Sequence, residues 1–290
     1  VAPVAVVSVG EARGAVDLDA AARFYERISH GRWRPAFCRL AGVSLPMPVA
    51  RYTHRGGMGQ WPSNSQQLAW DALAAMADRS SVNEDVILLV PAGFTPHVWR
   101  LRRGGFPLGE RRWVRRYAIL PDGASVGAVA HELGHLLLGW PDLVREVGAD
   151  CLMGCAALGA EPPLPCAPLR LAAGWIEPVP LGRATRVRDL GAGAPADTGS
   201  PGEMSAAPVG HWRFHDRDVL VERRGAHLLV LDASRPRPRL LVRIALTAAD
   251  LDRPALALVA PIVRAAGPGE PEPATPEDDA GDQPLACQGS

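Results

Sequence analysis

The string HELGHLLLGWPDL at residues 131–143 constrains this chain more than any other part of it. On a helix, His131 and His135 are four apart and sit one above the other on one face. Two imidazoles so placed can hold one zinc ion, and Glu132 beside them can reach a water on that metal and take its proton. A catalytic zinc takes three protein ligands and keeps one position open, so a third ligand must follow. Residues 124–138 contain no proline, and Asp122 or Ser125 offers a cap at their start. Val126, Val129, Leu133 and Leu137 alternate with the histidine face, which predicts a helix buried on most sides. Gly139 and Pro141 stop it. The plain alternative, two core histidines held by hydrogen bonds, leaves Glu132 buried without a task.

At 290 residues the chain has room for one large domain, or a domain with an appendage. Its 31 basic and 31 acidic residues cancel, which argues against a nucleic acid or an anionic membrane surface as partner. All 31 basic residues are arginine, a bias that fits a GC-rich genome better than a binding device. No apolar run approaches the roughly 20 residues of a membrane span. The opening VAPVAVVSV has no basic stretch before it and reads as a buried strand, so the sequence neither shows nor excludes secretion. Cys151, Cys155 and Cys166 follow the histidine motif closely, as disulfide partners or rival metal ligands. With Cys38 and Cys287 the count is five, and without paired CxxC motifs a structural zinc knuckle is not expected.

Residues 17–28 have caps and helical spacing, with Ala21, Phe24, Tyr25 and Ile28 on one side. A turn at His30–Gly31 leads to extended chain, then to a Gly- and Ser-rich loop carrying His54, read as a solvated side chain. Residues 66–77 form a second helix and 85–93 a buried strand. The arginine-rich stretch 100–116 reads as a solvated loop or edge strand. Residues 168–174 suggest a short helix, and β runs follow at 218–223, 227–231 and 240–246. The organisation expected is 1–180, then a β-rich module over 181–264, then a disordered acidic, Pro-rich tail over 265–290.

In shared order, several of these segments resemble the immune inhibitor A family of secreted zinc metallopeptidases, which is related to the metzincins. The resemblance runs from about Val4 to Asp232. It is carried by FYERISHGRW, VILLVPAG, RYAILPDGASVGAVAHELGH with the following PD, CLMG with LAAGWIEPV, and DVLVERRG with HLLVLDAS. It implies an α+β fold: a zincin/metzincin-like catalytic domain, with a mixed sheet and an active-site helix, followed by a small β-rich module. His131 and His135 then match the family's helix ligands, Glu132 its general base, and Asp142 its third ligand. Here one extra residue precedes the glycine, which on a continuing helix would turn Asp142 away by about 100°. Gly139 allows the chain to break and recover, and Glu146 and Asp150 stand in reserve.

The same resemblance makes Met153 an apolar floor beneath the metal, and Glu222 a family acid whose expected partner is Arg223 or Arg224. It implies secretion, one catalytic zinc, and a protein or peptide substrate. Calcium is not expected, since the acidic loop before the buried strand is reduced to SSVNED. An oxyanion partner is required in principle, and neither Tyr117 nor a histidine can be named for it. The expected activity is zinc-dependent peptide hydrolysis with Glu132 as general base. The alternative is a catalytically silent, zinc-stabilised binding protein on the same fold.

Overall fold

The computed structural model describes residues 3–13, 15–52, 62–101, 104–109, 112–154, 159, 161–190, 208–234 and 237–265. His54 and the tail beyond Ala265 lie outside them. The fold is mixed α and β. The chain divides into two compact units: Val1–Asp142 with Cys151–Pro163, and Leu143–Asp150 with Leu164–Ser290. The composition shift near residue 181 marks where the short β runs begin, whereas the second unit begins in sequence at Leu143.

In the first unit, strands β1 (Val4–Ser8), β2 (Phe37–Arg39), β3 (Asp85–Val90), β4 (His97–Arg100) and β7 (Arg116–Pro121) form one sheet in the order β2-β1-β3-β7-β4. The first three and β7 run parallel, and β4 closes one edge antiparallel to β7. Alternate residues of a strand face opposite sides. Ala5, Val7, Val86, Leu88, Tyr117 and Ile119 share a core with Leu68, Ala69, Ala72 and Leu73 of α2 (Pro62–Ala75). Val6, Ile87, Leu89, Ala118 and Leu120 are buried on the other side, where β7 meets α3 (Val126–Leu138) and α3 meets α1 (Leu18–Ile28). Cover on both faces explains why VILLV is apolar throughout instead of alternating.

Helix α1 starts where expected, with the Asp17 carboxylate accepting from the Ala20 amide at 2.8 Å. His30 and Gly31 then take left-handed conformations, φ 55° and 74°, and end it. The expected second helix starts earlier in the structure, at Pro62, and stops at Ala75. Within 100–116 the described residues give the end of β4 and a two-strand ribbon, β5 (Phe106–Pro107) with β6 (Trp113–Val114).

The second unit is built on an antiparallel sheet of β9 (Gly210–Phe214), β10 (Arg217–Arg224), β11 (His227–Asp232) and β12 (Arg239–Ala245), extended by β8 (Val179–Pro180), which runs parallel to β9. The short helix expected near 168–174 is α4 (Ala167–Ala172). One element departs from the β-rich expectation: α5 (Ala255–Ala265) is a helix that seats Ala255, Val259 and Val263 among Val219, Val221, Leu228 and Val230. Glu222 is buried between Arg170 and Arg224, so the expected Arg224 pairing holds and Arg170 joins it. Burial pushes the Glu222 carboxyl up, but the guanidiniums of Arg224 and Arg170 hold it below its ordinary value.

Candidate metal centre

Helix α3 carries His131, Glu132 and His135, and its ends set where the neighbouring side chains lie. Ser125 caps the start, its hydroxyl accepting from the Ala128 amide at 3.2 Å. Asp122, the other candidate cap, instead accepts from the amides of Arg13 and Ala15 at 2.7 and 2.9 Å. Val129, Leu133 and Leu136 are buried, and Leu136 takes the inward place that spacing assigned to Leu137. Gly139 ends the helix at φ 66°, a left-handed conformation that costs glycine nothing sterically.

That break cancels the offset expected from the extra residue. The chain reverses through Trp140, whose carbonyl accepts from His135 Nδ1 at 2.6 Å, and brings Asp142 back to the histidine pair. Asp142 Oδ1 lies 3.2 Å from His131 Nε2 and 3.3 Å from His135 Nε2, and the two Nε2 atoms are 3.0 Å apart. The reserve carboxylates are engaged elsewhere: Glu146 faces Arg237 at 3.8 Å and Asp150 faces Arg243 at 2.6 Å.

The hydrogen bonds to the far side of each ring fix what the near side offers. His131 Nδ1 donates to the Leu152 carbonyl at 2.9 Å, as His135 Nδ1 does to Trp140, so in the neutral rings each Nε2 carries the lone pair that a metal would take. Two such lone pairs and a carboxylate oxygen converge on one point and repel one another unless a positive charge lies between them. Three corners of a tetrahedron bonded at about 2.0–2.1 Å are separated by about 3.3–3.4 Å. The observed triangle is close to that, so the cluster could hold a metal ion and leave a fourth position open. Among the described residues no other group of three metal-ligating side chains converges in this way.

The electrostatics agree. Burial alone would lower the His131 imidazole, yet the Asp142 hydrogen bond, the Glu132 charge and the Leu152 carbonyl together push it up to about 9. Burial likewise raises Asp142, but the two imidazoles outweigh it and hold its carboxyl below the ordinary carboxylate range. Glu132 is different. It is 7% exposed, and burial raises its carboxyl despite the nearby histidines and the Val98 amide that donates to it from β4.

Beneath the helix, Met153 is fully buried in a tight turn closed by the Gly154 amide on the Cys151 carbonyl at 2.8 Å. A Cβ on Gly134 would stand 2.9 Å from Met153 Sδ, 3.1 Å from Trp140 Cε3 and 3.2 Å from Tyr25 Oη. The glycine inside the histidine motif is therefore what lets this floor approach the helix. Tyr25 donates from Oη to the Ala130 carbonyl at 2.6 Å, one residue before the first ligand. Tyr117 has no place here, since its ring lies in the core on the α2 side and its hydroxyl meets Ser65 Oγ at 2.7 Å.

Helical spacing gives Tyr25 only as a buried residue, and neither motif nor spacing points to Gly134's close packing, Trp140, the Leu152 carbonyl or the Val98 amide. Only Gly134 carries a signal, as a glycine in a helix interior between the two histidines. No protein-family model matches the chain, and no curated protein matches it significantly.

Proposed function

We propose that this chain is a zinc-dependent endopeptidase of zincin/metzincin-like architecture, with His131, His135 and Asp142 as ligands and Glu132 as general base. The observation that carries the reading is the convergence of two helix Nε2 atoms and the Asp142 Oδ1 atom, with the buried Glu132 beside the first histidine. The donor set, two imidazoles and a carboxylate with a fourth position open, suits catalytic zinc. Bound there, zinc would polarise a scissile carbonyl and make water acidic.

The protein's own residues do the rest. The Leu152 and Trp140 carbonyls keep both rings oriented, and Met153 packs against Gly134 between them on the helix. Glu132, with its carboxyl raised by burial, is suited to accept a proton from the attacking water and to return it to the leaving amine. Among the described residues β4 pairs only with β7, so its outer edge is open beside the Val98–Glu132 contact. An extended peptide can add to such an edge through main-chain hydrogen bonds, which favours a peptide as substrate. Secretion comes with the family resemblance on which this reading also leans.

The test pairs metal content with turnover of casein or a quenched peptide, for the parent chain and Glu132→Ala. The parent should hold one zinc and cleave. The variant should hold zinc and lose roughly 10²–10⁴ in rate, the usual contribution of a general base. Zinc in both without turnover in either would leave a silent binding protein, and no zinc in either would remove the site.

A further inference from the structure

The segment Leu143–Asp150 belongs to the second unit, yet its covalent neighbours on both sides belong to the metal centre. Asp142 precedes it. Cys151 and Leu152 follow it, and the Leu152 carbonyl is the acceptor for His131 Nδ1. Within the second unit the segment is held at two places. The Leu240 amide of β12 donates to the Glu146 carbonyl at 2.9 Å. Arg224 of β10 donates to the Asp150 carbonyl, and Arg243 of β12 meets the Asp150 carboxylate at 2.6 Å.

Arg224 does more than hold that carbonyl. The same guanidinium donates to the Leu164 carbonyl at 3.0 Å and the Pro165 carbonyl at 2.8 Å, and its Nε donates to Glu222 at 3.0 Å. It therefore joins the end of one segment of this unit to the start of the next. A rigid five-donor fork is needed for so many acceptors, and lysine does not have one.

We propose that Arg224, seated on Glu222, is a positioning residue for the metal centre, acting along the chain through Leu143–Asp150. This rests on the metal-site reading above. The Leu152 carbonyl, two residues past the pinned Asp150, and Asp142 at the other end of the segment lose less conformational freedom when the site closes on a cation than they would on a loose segment. The effect is on metal affinity and ligand geometry, and no substrate contact is involved.

Removing Arg224 outright would leave the buried Glu222 carboxylate with Arg170 alone, so the test uses Arg224→Lys together with the surface variant Arg243→Ala. Arg188→Ala is the control, since its partner Asp252 lies outside the segment. Each full-length chain is checked for fold by circular dichroism, then titrated with Co²⁺ and Zn²⁺ while the visible cobalt bands are recorded. Arg224→Lys should weaken metal binding about tenfold and shift the cobalt bands, as loss of a ligand-orienting contact does. Arg243→Ala should weaken it roughly two- to fivefold, in keeping with an exposed pair. Arg188→Ala should match the parent.

Folded Arg224→Lys and Arg243→Ala chains with parental affinity and parental cobalt bands would overturn the positioning role and leave the metal site standing. If Arg224→Lys does not fold, Arg243→Ala decides alone. A parent chain that takes neither metal would sink the metal-site reading, and the positioning role with it.

Discussion

His97 shows how one side chain can set the acid limit of the fold. It is buried, its Nδ1 donates to the Thr95 carbonyl at 2.8 Å, and its Nε2 has no hydrogen-bond partner among the described residues. Its ring neighbour is Tyr117, with centroids 6.2 Å apart. Burial therefore lowers its pKa below the ordinary 6.5. A buried histidine that resists protonation lets the unfolded chain bind the extra proton, so stability is full above about pH 6.5 and falls as pH drops through the lowered value. Urea melts of the metal-free chain at pH 7 and pH 5 should show this loss, and His97→Gln should reduce it. An unchanged slope in the variant would assign the acid sensitivity to other groups. At the same scale, Asp142→Asn keeps the shape of the ligand and removes its charge. Metal content after dialysis should fall well below that of the parent, because the two imidazoles alone do not complete the site.

At the scale of elements, the turn after α3 decides whether the third ligand arrives. Gly139→Ala forces a left-handed conformation on a residue with a Cβ, at a cost of about 1–2 kcal/mol. It should lower the thermal midpoint and the metal content together. A lower midpoint with unchanged metal content would mean that Asp142 finds the site by another route. Helix α3 was legible because its period, its Ser125 cap and its Gly139 stop all agree. The fate of Asp142 was only half legible: spacing shows that an extra residue is present, but not that a left-handed glycine absorbs it. The Leu152 and Trp140 carbonyls were illegible, since every residue carries one. Helix α5 was missed for a different reason. Its Ala255, Val259 and Val263 repeat every four residues, but Pro261 lies within it and strand-like runs precede it. The expected division at residue 181 and the two compact units differ in kind, because composition records where strands begin and contacts record which segments pack together.

For the whole molecule, two cores and a chain that leaves one unit and returns to it make a specific demand on unfolding. Leu228 is fully buried in the second core, and Leu228→Ala should cost about 2–5 kcal/mol there. If the segment Leu143–Asp150 transmits that loss, calorimetry of the metal-loaded variant should show its unfolding shifted as one transition. Two separated transitions, with only the metal-insensitive one moved, would mean that the units unfold independently.

The same path through the chain has a consequence in time. Asp150 leaves the ribosome 74 residues before Arg224 and 93 before Arg243, the side chains that hold it. At about 5–20 residues per second, the wait is roughly 4–19 s. A nascent chain thus displays all three ligands and the glutamate long before their restraint exists. If the chain is the metal-dependent peptidase proposed above and that restraint governs how firmly the metal is held, firm metal retention is deferred until β10 and β12 have been made.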